Sequence, residues 1–179
     1  MRVGIFGSWR IGRDDPIYSH AAEYGRVLAA ACLSILTGGY SGVMEAACKG
    51  AVEVGGATIG VTCPEIDRLL AVNRWVNQEI KARDLQERLA IAFRLIDAAV
   101  FFPGRSGTIT ELALAIELRE KGILRHPILL PSEYWDDFLR AHAAVGMRLP
   151  YETSAAPNST LFEHCLTPTY ALARLSSGQ

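Results

Sequence analysis

The chain has 179 residues, half of them hydrophobic, and a formal net charge of −1. That length allows one domain with a full core. The composition excludes a disordered chain, and the near-neutral charge argues against nucleic acid as a partner. No apolar run is long enough to span a membrane, so no membrane association is expected.

Taken in order, Arg2 to Gly7 reads as a short apolar strand, followed by the polar turn Gly12 to Asp15. Pro16 suits the first turn of a helix running to about Ala31, with Ile17, Ala21, Tyr24, Val27, Leu28 and Ala31 on one face. Leu33 to Thr37 is a second strand, Val43 to Val54 an alanine-rich helix and Ala57 to Thr62 a third strand. Cys63 to Asn77 is a longer, mixed connection of the kind that forms lids or substrate loops. Trp75 within it could stack on a base or simply pack. Ile80 to Leu95 reads as an amphipathic helix carrying Arg83, Glu87, Arg88 and Arg94.

Ala98 to Phe102 is an apolar strand that breaks at Pro103-Gly104 into a helix ending near Gly122, with Leu112, Ala115, Ile116 and Ile123 at helical spacing. His126 to Leu130 is a further strand, and Ser132 caps a helix bearing Tyr134, Trp135 and Phe138. Pro150 to Ser159 is polar and loop-like, Leu161 to Leu166 an edge strand, and Thr167-Pro168 opens a final helix to about Leu175. Strands alternate with helices across connections too long for hairpins. The expected fold is therefore α/β, a single domain built on a parallel sheet.

Cys32, Cys48, Cys63 and Cys165 form no C-x-x-C pair, which points to reduced thiols in a cytoplasmic protein. His20, His126, His142 and His164 show no H-x-x-x-H spacing, and no metal site is expected. Cys63 lies at a strand end, but nothing near it argues for an activated thiolate.

In an open parallel sheet, ligands bind beyond the carboxyl ends of the strands, where strand order reverses. Three small-residue turns fall at such ends: Gly7-Ser8, Thr37 to Gly42 and Pro103 to Thr108. Backbone N–H groups at turns of this kind favour phosphate. A nucleotide or other small phosphorylated ligand is thus expected to meet Gly7, Ser8, Gly38, Gly39, Gly42, Pro103, Gly104, Ser106, Gly107 and Thr108. There is no G-x-x-x-x-G-K-[ST] and no G-x-G-x-x-G after the first strand, which argues against a P-loop ATPase and a dehydrogenase. Glu111 keeps two readings. It completes a capping box with Thr108 at the helix start, or it is a reactive carboxylate beside an anion-binding turn.

Thr37-Gly38-Gly39-Tyr40-Ser41-Gly42-Val43-Met44-Glu45 is similar to the G-G-G-x-x-G-L-M-G loop of the "lonely guy" (LOG) family. Pro103 to Glu111 resembles that family's P-G-G-x-G-T-x-x-E signature. The resemblance covers about residues 2–145 and implies a doubly wound, three-layer Rossmann-like fold and a homodimer. Family enzymes hydrolyse cytokinin riboside 5′-monophosphates to free base and ribose 5-phosphate, without a cofactor. By the same resemblance, Glu111 and Arg88 are the catalytic pair. A carboxylate suits an oxocarbenium-like transition state, and a guanidinium suits a phosphate or sugar hydroxyls.

Three departures separate the chain from the family pattern. Arg105 stands for the second signature glycine and Leu89 for the lysine of an R-K pair. Glu45 replaces the last glycine of the first motif, where it either favours the helix start or meets the ligand. Arg105 either binds phosphate or crowds its turn. The departures motivate a second reading, a non-catalytic binding protein like the molybdenum cofactor carriers that share this fold. Single-stranded DNA binding, as in the related DNA-processing fold, is disfavoured by the charge.

Overall fold

Alternating side chains decide the two faces of the sheet. In β1 (Arg2–Phe6) Val3 and Ile5 enter one core while Phe6 enters the other, and in β5 (Ala98–Phe101) Ala98 and Val100 part from Ala99 and Phe101 in the same way. Strands buried on both faces need helices on both sides, and the chain supplies them. The computed structural model describes residues 1–146 and 161–176; the expected loop from Pro150 to Ser159 lies outside them.

Among the described residues the strands form one seven-stranded, wholly parallel sheet in the order β4-β3-β2-β1-β5-β6-β7. The others are β2 (Ser34–Thr37), β3 (Thr58–Thr62), β4 (Gln78–Lys81), β6 (Ile128–Leu130) and β7 (Phe162–His164). One face carries α1 (Pro16–Ala30), α2 (Val43–Val52) and α7 (Pro168–Ser176), with Tyr24, Leu28, Val43, Ala47 and Leu175 in its core. The other carries α4 (Leu85–Leu95) and α5 (Ser106–Glu120), with Phe93, Leu112, Ile116 and Trp135 in its core. This is the three-layer, Rossmann-like arrangement the sequence led us to expect. A short α3 (Pro64–Asp67) follows β3, and α6 (Asp136–Gly146) follows a 3₁₀ turn at Glu133–Trp135.

Local chemistry places the helix starts. Asp15 accepts from the N–H of Ile17 at 2.8 Å, with Pro16 in the first turn of α1. Asp84 does the same for Glu87 at 2.7 Å, starting α4. On the first face α1 and α2 approach until their backbones nearly touch: a Cβ at Gly25 would lie 2.0 Å from the carbonyl oxygen of Ala47, and one at Gly50 would lie 1.8 Å from that of Ala22.

The sequence reading departs from the structure in three places. Ile80 belongs to β4, and α4 begins only at Leu85. Gln78–Lys81 is an edge strand with polar, exposed side chains on both faces, so it lacks the apolar alternation that marks a strand. Ile123 lies beyond the end of α5 at Glu120 and is exposed; Gly122, at φ +70°, terminates the helix before it. Third, the residues capped by Ser132 form the 3₁₀ turn before the α-helix begins at Asp136.

Candidate functional site

Strand order reverses between β1 and β5: β2, β3 and β4 extend from one side of β1, and β5 begins the other. Phe6 and Phe101 are register partners there, so the segments that follow them leave the sheet side by side. A cleft of about 470 Å³ opens at this point, within the range of small-molecule sites. Its wall includes Gly7, Ser8, Arg88, Arg105, Ser106, Gly107, Thr108 and Glu111. Met44, Ile66, Leu69, Leu70, Leu85 and Leu89 form an apolar side.

The three turns are tied together, and the ties decide which backbone groups face a ligand. Ser8 donates its N–H to the carbonyl of Pro103 at 3.0 Å, and Val43 donates to the carbonyl of Ser8 at 3.1 Å. Gly39 donates to Thr37 Oγ1 at 3.0 Å. The N–H groups of Ser8 and Gly39 are thus committed within the protein. Gly38, Gly39 and Gly42 do not line the cleft but frame it. Gly42 caps α2 at φ +67°, and a Cβ there would lie 2.3 Å from the Ser8 carbonyl oxygen.

The start of α5 differs. Arg105 occupies the cap position and makes no side-chain cap bond, so Ser106, Gly107 and Thr108 form an uncapped first turn. This overturns the capping-box reading. Thr108 is inside the helix and Glu111 lies a further turn along, too far in to close a box with it. Thr108 packs instead over Gly104, where a Cβ would stand 2.1 Å from its Oγ1. Pro103 and Gly104 shape the turn from behind the cleft wall.

Arg88 comes from the second turn of α4 and Glu111 from α5, and both are buried. Arg88 Nη1 stands 3.5 Å from Glu111 Oε1, and Arg88 Nε donates to the carbonyl of Val61 at 2.9 Å. Its guanidinium lies 5.8 Å from the centroid of the Tyr40 ring. Among the described residues those are its hydrogen-bond partners, and a guanidinium offers five N–H groups. Burial pushes the Glu111 carboxyl up to about 7, while the Arg88 charge pulls in the opposite direction. The result is a cation with donors to spare beside a carboxyl that titrates near neutrality.

Other expected residues fall elsewhere. Glu45 does not line the cleft; its carboxylate takes a 2.6 Å bond from Arg13 Nη2. Trp75 is also away from the cleft wall and stacks under its neighbour Arg74, 4.5 Å from ring to guanidinium carbon. Cys63 is buried and its thiol is pushed up by desolvation, the reverse of activation. Among the described residues, no cluster of three or more His, Cys, Asp or Glu could hold a metal ion, and no helix is long and apolar enough to cross a membrane.

Residues 1–143 match the SLOG cluster4 family model. The chain belongs to the SLOG cluster4 family. Membership bears out the LOG-like resemblance carried by the two glycine motifs. This SLOG cluster4 chain is 30% identical, over 142 residues, to a probable cytokinin riboside 5′-monophosphate phosphoribohydrolase of Oryza sativa subsp. japonica; the match covers 78% of this chain and 63% of that relative, under two thirds of its length. It superposes on the molybdenum cofactor carrier protein of Chlamydomonas reinhardtii with a TM-score of 0.66, at 26% identity, over 99% of this chain and 96% of that one. The molybdenum cofactor binding protein of Rippkaea orientalis shares the fold at a TM-score of 0.73 and 23% identity, over 98% and 95% of the two chains.

Three contributors to this SLOG cluster4 site escaped sequence reading. Tyr134, in the 3₁₀ turn after β6, donates its hydroxyl to the carbonyl of Gly104 at 3.0 Å, and Trp135 Nε1 donates to the carbonyl of Phe101 at 3.1 Å. Together they hold the β5–α5 turn from its far side. Tyr40 reaches from the first motif to Asp67 Oδ1 at 2.9 Å, with its ring under Arg88. The aromatic cluster at 134–138 was visible in the sequence, but aromatic residues at a helix start signal packing, and nothing in their spacing names a carbonyl partner.

Proposed function

We propose that this protein is a nucleoside 5′-monophosphate phosphoribohydrolase of the cytokinin-activating type, with Glu111 and Arg88 as its catalytic pair. The observation that carries this reading is the buried pair at 3.5 Å in a cleft that also contains the uncapped start of α5. The named activity of the rice relative supports it.

The phosphate binds at Ser106, Gly107 and Thr108, where helix N–H groups and the helix dipole favour an anion. The apolar side formed by Leu69, Leu70, Leu85 and Leu89 receives the base. Arg88 directs its spare donors to the ribose hydroxyls or phosphate. Glu111 takes a proton from water as the water oxygen bonds to C1′. The C1′–N bond breaks through an oxocarbenium-like transition state, and the proton taken up by Glu111 is passed on to the departing base, which leaves neutral and regenerates the carboxylate. A carboxyl near 7 exchanges protons readily at neutral pH.

Incubation with adenosine or isopentenyladenosine monophosphate, followed by chromatography, should yield free base and ribose 5-phosphate. Absence of both products from the wild-type protein would overturn the assignment.

A second reading rests on Arg105 and Leu89 and on the likeness to the carrier of 26% identity: the cleft binds a phosphorylated ligand without cleaving it. Ligand-induced thermal stabilisation with no turnover would identify it.

We further propose a cytoplasmic homodimer, as the resemblance implies. A second, larger groove between α4 and α5 is lined by Leu89, Phe93, Leu114, Leu118 and Ile123, and Leu89 belongs to groove and cleft alike. A second copy seated there would adjoin the cleft. Sedimentation of Leu118→Glu should give a monomer where the wild type gives a dimer.

A further inference from the structure

The charged side chains of the cleft wall are unbalanced. Arg10, Arg88 and Arg105 line it, and Glu111 is the sole acidic residue among the described lining. The surplus is local, because the whole chain carries a formal charge of −1. Two further arginines near the site are neutralised: Arg13 by Glu45 at 2.6 Å and Arg83 by Glu87 at 3.0 Å. Arg105 and Arg10 are different. Both are exposed at the mouth, Arg10 rests against the Trp9 ring with 4.6 Å from guanidinium carbon to centroid, and neither is in an ion pair among the described residues.

These cations also occupy distinct places. Arg88 is nine-tenths buried at the floor, with donors unused by the protein. Arg105 stands at the cap of α5 and Arg10 follows the β1 turn, on neighbouring strand ends joined by the Ser8–Pro103 bond. One phosphate held by the first turn of α5 and Arg88 leaves the two outer guanidiniums without a counterion.

We infer that the cleft selects a ligand with two linked phosphoryl groups, the inner one at the start of α5 and the outer one between Arg105 and Arg10. This rests on the nucleotide-site reading above and extends its substrate class from nucleoside monophosphates to nucleoside diphosphates. The extra phosphoryl group supplies the anionic oxygens that two guanidiniums can bind in bidentate fashion. Arg105, which replaces a glycine of the motif, is thereby a specificity residue.

Titration calorimetry with AMP, ADP, inorganic phosphate and pyrophosphate tests this on the full chain. ADP should bind about tenfold tighter than AMP, an increment typical of one charge-assisted contact. Arg105→Gly, which restores the motif glycine, should bring the ADP-to-AMP ratio within about twofold, whereas Arg105→Lys should retain part of the preference. Matching melting temperatures would establish that the variants are folded. If AMP binds and ADP binds no tighter, or if the preference survives in an Arg10→Ala, Arg105→Gly double variant, the inference fails and the monophosphate reading stands. Pyrophosphate binding as tightly as ADP would support the diphosphate site and overturn the nucleoside part of the reading. If none of the four binds, both fail.

Discussion

Arg88 occupies the space that Gly38 leaves vacant: a Cβ on Gly38 would lie 1.9 Å from Arg88 Nη2 and 2.8 Å from the sulfur of Met44. The first glycine motif therefore serves the site indirectly. It lets a helix from elsewhere in the chain place a guanidinium against Glu111.

Gly38→Ala should displace that guanidinium and leave the rest of the fold in place. A misplacement of about 1 Å in a catalytic group costs on the order of 100-fold in rate. We expect a loss of that size in kcat/KM for base release, with circular dichroism unchanged. Near-wild-type turnover would show that Arg88 is not held by this contact.

The raised carboxyl of Glu111 links stability to pH. Between about 4.5 and about 7 the native state holds a proton that the unfolded chain has released, so stability falls as pH rises through this window. Below the window both states are protonated, and above it the full cost is present, on the order of 3 kcal/mol by the size of the shift. Denaturant titrations from pH 4 to 8 should show this decline, and Glu111→Gln should flatten it. Catalysis should respond in the opposite sense. If Glu111 is the base, kcat rises with pH through its ionisation.

Tyr134→Phe deletes the hydrogen bond that steadies the Gly104 carbonyl. The tyrosine is half exposed, so water can replace it, and the stability loss should be about 1 kcal/mol or less. For a chain of this size that is a shift of roughly 2–4 °C in Tm. The ligand-dependent increment in Tm with AMP should shrink as well, since the turn beside the phosphate loosens. A full increment in the variant would separate Tyr134 from the site.

Gly25→Ala and Gly50→Ala test the α1–α2 contact. Each introduces a methyl within 2.0 Å of a backbone oxygen, where no flexible side chain can give way. Overpacking of this sort costs about 1–3 kcal/mol and occasionally more. Chemical denaturation should show a lower midpoint for both variants, with the cleft chemistry of any folded fraction retained.

Much of the molecule was legible in the chain itself. The apolar strands, the small-residue turns after them and the amphipathic helices between them have local signatures in periodicity and in glycine, and they sufficed for a parallel α/β sheet; its three-layer, Rossmann-like arrangement was implied by the family resemblance. The motif Pro103 to Glu111 likewise marked the start of α5. Edge strand β4 was not legible, because Gln78–Lys81 buries so little that no pattern distinguishes it. Nor was the division of labour among the turns. Whether Ser8 or Gly39 offers an N–H to a ligand depends on partners at Pro103 and Thr37, and only the register of β1 against β5 brings Ser8 to Pro103. Sequence determined which residues could carry charge at the strand ends. Tertiary structure decided that Arg88 and Glu111 share one buried space, because desolvation and the fit over Gly38 arise from segments brought together by folding.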